Sequence, residues 1–140
     1  LFSALAATST SSIGITREAY GKGEQDALDL IKTYAQKCNL EVEIDSAANL
    51  VITLPGADRK IPCIVCGSHL DSVPQGGNFD GAAGIVAGLI SIARMKSEGF
   101  TPRQDLKVMA FRCEESAWFG KQYIGSSALL GELALADLES

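Results

Sequence analysis

The stretch IPCIVCGSHLD, residues 61–71, carries the reading that decides the fold. Ile61 to Cys66 is continuously apolar, shows no alternation and stops at Gly67-Ser68. That is the pattern of a strand buried on both faces, so it is the candidate central strand of a sheet. After the loop Asp71 to Phe79, the segment Asp80 to Lys96 has helical periodicity, with Gly81, Ala82, Ala83, Gly84, Ala87 and Gly88 where a helix must approach a sheet closely. A turn at Gly99 to Arg103 leads into a second β-rich run, Leu106 to Cys113, followed at once by Glu114-Glu115. Strand, helix, strand is a βαβ unit, in which the two strands are parallel and the crossover is right-handed. The expected fold class is α/β: a mixed, largely parallel sheet flanked by helices.

Upstream of this unit, Leu28, Ile31, Ala35 and Cys38 recur at three- and four-residue steps between Glu24 and Cys38, with Lys32, Gln36 and Lys37 between them. That spacing predicts an amphipathic helix. Leu40 to Ile44 and Asn49 to Leu54, the second closed by Pro55-Gly56, read as a hairpin or adjacent edge strands. Downstream, Ser126 to Leu138 is helix-prone and broken at Gly131. Leu1 to Ser12 is apolar and Ser/Thr-rich, with no basic n-region and no initial Met, and reads as the trailing piece of a longer N-terminal segment rather than a signal peptide.

A chain of 140 residues with 46% apolar and 21% charged residues can form one folded unit with its own core. Its net charge of −5 comes from 17 acids against 12 scattered bases, which makes nucleic acid and anionic membrane poor partners. No apolar run approaches the ~20 residues of a membrane span. Cys38, Cys63, Cys66 and Cys113 sit inside apolar patterns, as expected for a reducing, cytoplasmic setting without a disulfide framework. The Cys63-x-x-Cys66 pair is expected to serve buried packing, because residues three apart on a strand point to opposite faces.

Both strands of a βαβ unit end on the same edge of the sheet, where the connecting helix begins. His69, Asp71, Asp80, Glu114 and Glu115 should therefore gather on one rim, the usual ligand site of open α/β sheets. Four crowded carboxylates repel one another and raise their own pKa values unless cations hold them ionised. Divalent metal resolves that conflict, and imidazole with carboxylate oxygens suits zinc, with manganese or cobalt as alternatives. Asp71, two residues after His69, is placed to hold the second ring nitrogen.

Taken together, His69-Leu-Asp71, Gly76-Gly77-Asn78-Phe79-Asp80-Gly81, Glu114-Glu115-Ser116-Ala117-Trp118-Phe119 and Gly125-Ser126 resemble the M20-type metallohydrolases, and most of all the hydantoinase/carbamoylase amidases. That branch comprises N-carbamoyl-L-amino-acid hydrolases, β-ureidopropionases and allantoate amidohydrolases. The resemblance runs from Gly14-Ile15-Thr16-Arg17 to Gly131, and the spacings of 11 from His69 to Asp80 and 35 from Asp80 to Glu115 fit it. It implies two divalent ions, with His69 on one, Asp80 bridging both and Glu115 on the other. Glu114 would activate the attacking water, and Asp71 would orient His69. It also implies a zinc-exopeptidase-like catalytic domain of which residues 1–140 are the N-terminal portion. Two further histidine ligands, a lid and dimerisation domain, and a homodimer would belong to the remainder. The chain departs from the family pattern at Ile90, where Glu is common, and at Ala48, where Gly is usual, but neither is a ligand position.

The expected reaction is hydrolysis of a linear amide or ureido C–N bond in a small carbamoyl or ureido substrate. The rivals are a dipeptidase or aminopeptidase of the same broad group, and a non-catalytic binding module. The short Gly-Gly-Asn-Phe-Asp loop speaks against the peptidases, which usually carry a longer segment between His and the bridging Asp. Taken singly, Asp80 reads as a helix N-cap, the glutamates as solvated loop residues, and His69, the only histidine, as a bonded core residue. Trp118 and Phe119 read as packing. Neither a G-x-G-x-x-G nor a P-loop pattern surrounds the glycines, and Gly125-Ser126 lacks the second glycine of a nucleophile elbow.

Overall fold

A computed structural model describes residues 1–9 and 11–138. In chain order the elements are α1 (Phe2–Ala6), α2 (Lys22–Lys37), β1 (Glu41–Ile44), β2 (Leu50–Leu54), β3 (Ile64–His69), α3 (Ala82–Ser97), β4 (Leu106–Phe111) and α4 (Ile124–Leu130), followed by a 3-10 turn at Leu135–Leu138. The strands form one sheet in the order β1-β2-β4-β3. β1 and β2 pair as the expected antiparallel hairpin, and β2 also meets β4 antiparallel. The parallel pairing is the one between β3 and β4, in which His69 lies opposite Phe111. The mixed α/β sheet expected from the sequence is present, with its parallel part confined to the βαβ unit.

The amphipathic patterns bury the predicted faces. α2 sinks Ala27, Leu28, Ile31 and Ala35 into the core, and α3 sinks Ala82, Ile85, Val86, Leu89 and Ile92. Each fully buried leucine or isoleucine of this set contributes about 2 kcal/mol. The small residues of α3 set how near it comes to the sheet. A methyl group at Gly84 would lie 2.8 Å from Ser68 Cβ, and one at Gly88 would lie 3.1 Å from both γ-methyls of Val108. The helix therefore rests directly on β3 and β4, and its first turn is carried to the ends of both strands. α4 ends where the sequence is broken, at Gly131 in the left-handed region with φ +72°.

Within the described residues β3 is not the central, doubly buried strand that its sequence suggests. It begins at Ile64 rather than Ile61 and occupies the edge of the sheet, with Ile64 55% and Val65 46% exposed. Cys63 and Cys66 are exposed as well, so they do not serve buried packing, whereas Cys113 is buried. An apolar run shows that a strand suits burial on its faces but does not say which neighbours supply it. Among the described residues, β4 alone pairs with β3. The opening segment, read as a trailing piece, contains a short helix whose Leu5 is fully buried in the main core. Thr10, within that segment, lies outside the described residues. Among the described residues, no helix is long and apolar enough to cross a membrane.

Candidate metal centre

His69 is the last residue of β3, Asp80 stands just ahead of α3, and Glu114-Glu115 follow the end of β4. The imidazole is 7% exposed and held on one side. Its Nδ1 lies 3.0 Å from the Asp71 carbonyl oxygen and 3.3 Å from Asp71 Oδ1. Both neighbours are acceptors, so Nδ1 is the nitrogen that carries the proton in the neutral ring. The lone pair of Nε2 then faces the rim. There Nε2 is 3.6 Å from Asp80 Oδ1 and 3.6 Å from Glu114 Oε2.

Two local features create this arrangement. Gly81 has φ +60°, and a β-carbon there would sit 2.5 Å from the His69 carbonyl oxygen and 2.7 Å from two ring carbons. Only glycine lets the chain turn into α3 so close to the histidine. Gly81 is also the N-cap of α3, without a side-chain cap, so Asp80 is not the helix cap and its carboxylate is turned toward His69. The second feature is Asp71, which is fully buried and accepts hydrogen bonds from the backbone N–H groups of Glu114 at 3.2 Å and Glu115 at 3.0 Å. It therefore lies against the imidazole and ties the end of β3 to the two glutamates beyond β4.

The sequence reading missed a buried charge pair beneath those glutamates. Arg112 donates from Nε to Glu24 Oε2 at 2.6 Å, and Glu24 also accepts from the backbone of Tyr20 at 2.6 Å and of Cys113 at 3.4 Å. Asn49 accepts from Arg112 N at 2.8 Å and donates to the Gly125 carbonyl at 3.0 Å. Together they brace residues 112 and 113, including Cys113 at φ +52°, just before the chain delivers Glu114. Glu24 is fully buried, although its place in the first turn of α2 reads as a solvated acid favoured by the helix dipole. Nothing in local periodicity reveals a partner 88 residues away.

Charge at the rim is unbalanced. Burial raises the pKa of Glu115; His69 opposes that rise, and Glu114, Asp80 and Asp71 add to it. For His69, burial favours the neutral ring, but hydrogen bonding and charge from Asp71, with the Glu114 charge, outweigh it and leave the pKa above 6.5. The thiol of Cys113 is pushed up to about 12, chiefly by burial.

His69, Glu114 and Glu115 each offer a donor atom, all within 4.8 Å of one another, and such a group can hold a metal ion. Asp80 adjoins this trio through His69, and Asp71 stands behind it. Trp118 is a packing residue, as expected, with Nε1 donating to the Ser72 carbonyl at 2.9 Å. Phe119 is not: it is 50% exposed, edge-on to Tyr20.

Residues 49–136 match the family model of peptidase family M28. The chain is 37% identical over 126 residues to the N-carbamoyl-L-amino acid amidohydrolase of Geobacillus stearothermophilus, covering 90% of this chain and 31% of that protein. It is 30% identical to the ureidoglycolate hydrolase of Arabidopsis thaliana, again over 90% of this chain and 26% of that enzyme. Among solved structures, a hydantoinase/carbamoylase family amidase from Burkholderia ambifaria superposes with a TM-score of 0.91 at 29% identity, over 97% of this chain and 34% of that one. The chain thus spans about a quarter to a third of the length of these relatives. By the extent of the family match the chain belongs to peptidase family M28, and its likeness in sequence and structure runs to the hydantoinase/carbamoylase amidases.

Proposed function

We propose that the full-length protein is a metal-dependent amidohydrolase that cleaves a linear amide or ureido C–N bond of an N-carbamoyl amino acid or a related ureido compound. The observation that carries this reading is the convergence of His69, Glu114 and Glu115, with Asp80 beside them, at the ends of β3 and β4. The donor set fits a divalent cation: one imidazole nitrogen with its lone pair outward, and carboxylates with too little positive charge around them. Two ions, zinc first with manganese or cobalt as alternatives, would be held by His69, Asp80 and Glu115. Bound there, they would polarise the scissile carbonyl and make water a better nucleophile at neutral pH.

The rest of the chemistry belongs to the chain. Glu114, with a side chain 32% exposed at the rim, takes the proton of the attacking water and returns it to the leaving nitrogen. Asp71 holds the imidazole tautomer and, through two backbone hydrogen bonds, the position of Glu114. In this reading residues 1–140 are the N-terminal portion of one metallohydrolase catalytic domain, and the complete enzyme is a cytoplasmic homodimer.

The peptidase family match supports a second reading, a dipeptidase or aminopeptidase. The names of the relatives favour the carbamoyl or ureido substrate. Assaying the full-length protein on N-carbamoyl amino acids beside dipeptides, with and without chelator, separates them. Chelator-sensitive release of the free amino acid from the carbamoyl compound is expected. Turnover of dipeptides alone overturns the substrate assignment, and turnover unaffected by complete metal removal overturns the metal.

A further inference from the structure

Gly14-Ile15-Thr16-Arg17 lies outside the helices and the sheet, yet is strapped along the loop that joins His69 to Asp80. Ile15 and Gly76 exchange backbone hydrogen bonds of 2.9 and 2.8 Å. Gln75 N donates to Thr16 Oγ1 at 2.9 Å, Ser72 N to the Arg17 carbonyl at 2.9 Å, and Arg17 N to Ser72 Oγ at 3.0 Å. The contact is close enough that a β-carbon on Gly14, at φ +61°, would lie 2.7 Å from the Gln75 carbonyl oxygen.

The Arg17 side chain runs under this loop and is fully buried. Its Nε donates to the Leu70 carbonyl, and its Nη1 donates to Asn78 Oδ1 at 3.4 Å, while Asn78 donates onward to the Phe2 carbonyl at 3.0 Å. Nη2 has no hydrogen-bond partner. Burial works against this guanidinium, and the charges of Asp71 and Asp80 work in its favour. A buried cation with no carboxylate in direct contact is a costly way to fill space, which points to a positional role.

We propose that Arg17 is a positioning residue of the metal centre: by gripping Leu70 and Asn78, it fixes both ends of the loop and so sets Asp80 relative to His69. This rests on the reading of His69 and Asp80 as ligands. The strap explains why a segment more than 50 residues upstream bears on the site. It also explains how an exposed carboxylate on a loop end can be presented without a helix cap to hold it.

The test uses the full-length protein stripped of metal, with zinc affinity measured by competition against a chromogenic chelator for wild type, R17K, N78A and H69A. R17K keeps the charge but loses the fork that spans Leu70 and Asn78. N78A removes only the far grip. Zinc affinity is expected to fall about tenfold or more in both, within the range seen when groups supporting a metal ligand are removed. Unfolding temperatures of the zinc-free proteins serve as the control, since a residue that only stabilises the fold lowers these and leaves the zinc affinity of folded protein unchanged. Affinities within twofold of wild type in folded R17K and N78A overturn the proposal; if R17K does not fold, N78A decides. Equal zinc affinity in wild type and H69A overturns the metal reading instead, and the role of Arg17 with it.

Discussion

At the end of the sheet where β3 and β4 begin, Asp105 accepts from the backbone of Gly56 at 2.9 Å and from Arg59 at 3.1 and 3.2 Å, and Arg59 in turn grips Glu41 with both Nη atoms. At the end where the same strands finish, Asp71, Asp80, Glu114 and Glu115 surround one imidazole. The first arrangement is complete in itself: acids meet donors, the Gly56 N–H chiefly holds the Asp105 pKa low, and the loops are pinned to the sheet. At the second, burial raises the Glu115 pKa, His69 opposes that rise, and the charges of Glu114, Asp80 and Asp71 add to it. In the proposed reading, self-satisfied charge marks the structural end and the carboxylate rim the functional one.

The comparison breaks most visibly at Glu114. Glu114→Gln in the full-length protein should lower kcat by about 10²–10⁴ with metal content unchanged, the usual contribution of a positioned proton carrier. Retained turnover would remove Glu114 from that role. Next in size is the brace below the rim. Glu24→Ala leaves Arg112 buried without its partner and should cost about 3–5 kcal/mol in urea unfolding. A loss below about 1 kcal/mol would mean that water reaches the site and that the pair is not a brace.

The pH response should differ between the two ends with opposite sign. In metal-free protein the folded pKa of His69 lies above 6.5, so its stabilisation is fully present below about pH 6.5 and is lost as pH rises through the folded value. Asp105 has a folded pKa below 3.8, so its contribution is present above that pH and is lost as pH falls through the folded value. Unfolding curves of H69Q and wild type from acid to mildly alkaline pH check the first: an unchanged difference across that range contradicts it. The smallest effect belongs to the structural end. Asp105→Ala should cost about 1 kcal/mol, mainly through the lost bond to Gly56 N, and should leave metal affinity and kcat unaltered.

Much of the rim was legible in the sequence because topology dictates it. A βαβ unit sends both strand ends and the helix start to one place, so His69, Asp80 and Glu114-Glu115 are brought together by chain order alone. The close approach of α3 was legible for a similar reason, in the spacing of Gly84 and Gly88. What escaped depends on pairing at long range. β3 reads as central because Ile64 and Val65 are apolar, yet hydrophobicity is silent on which side a neighbour stands. The burial of Glu24, Arg17 and Arg112 was not legible, because it rests on partners from distant segments. Asp71 was read as a support for His69, but its bonds to the backbone of Glu114 and Glu115 require knowing that β3 and β4 finish in register.

Metal content tests the central claim most directly. Full-length protein purified without chelator, beside its H69A variant, is analysed for bound divalent ions before and after addition of zinc or manganese. Two ions per chain in the wild type, and loss of metal in H69A, are expected. A wild-type protein that is metal-free as purified and takes up neither ion would contradict the account and leave the carboxylate rim as scaffold.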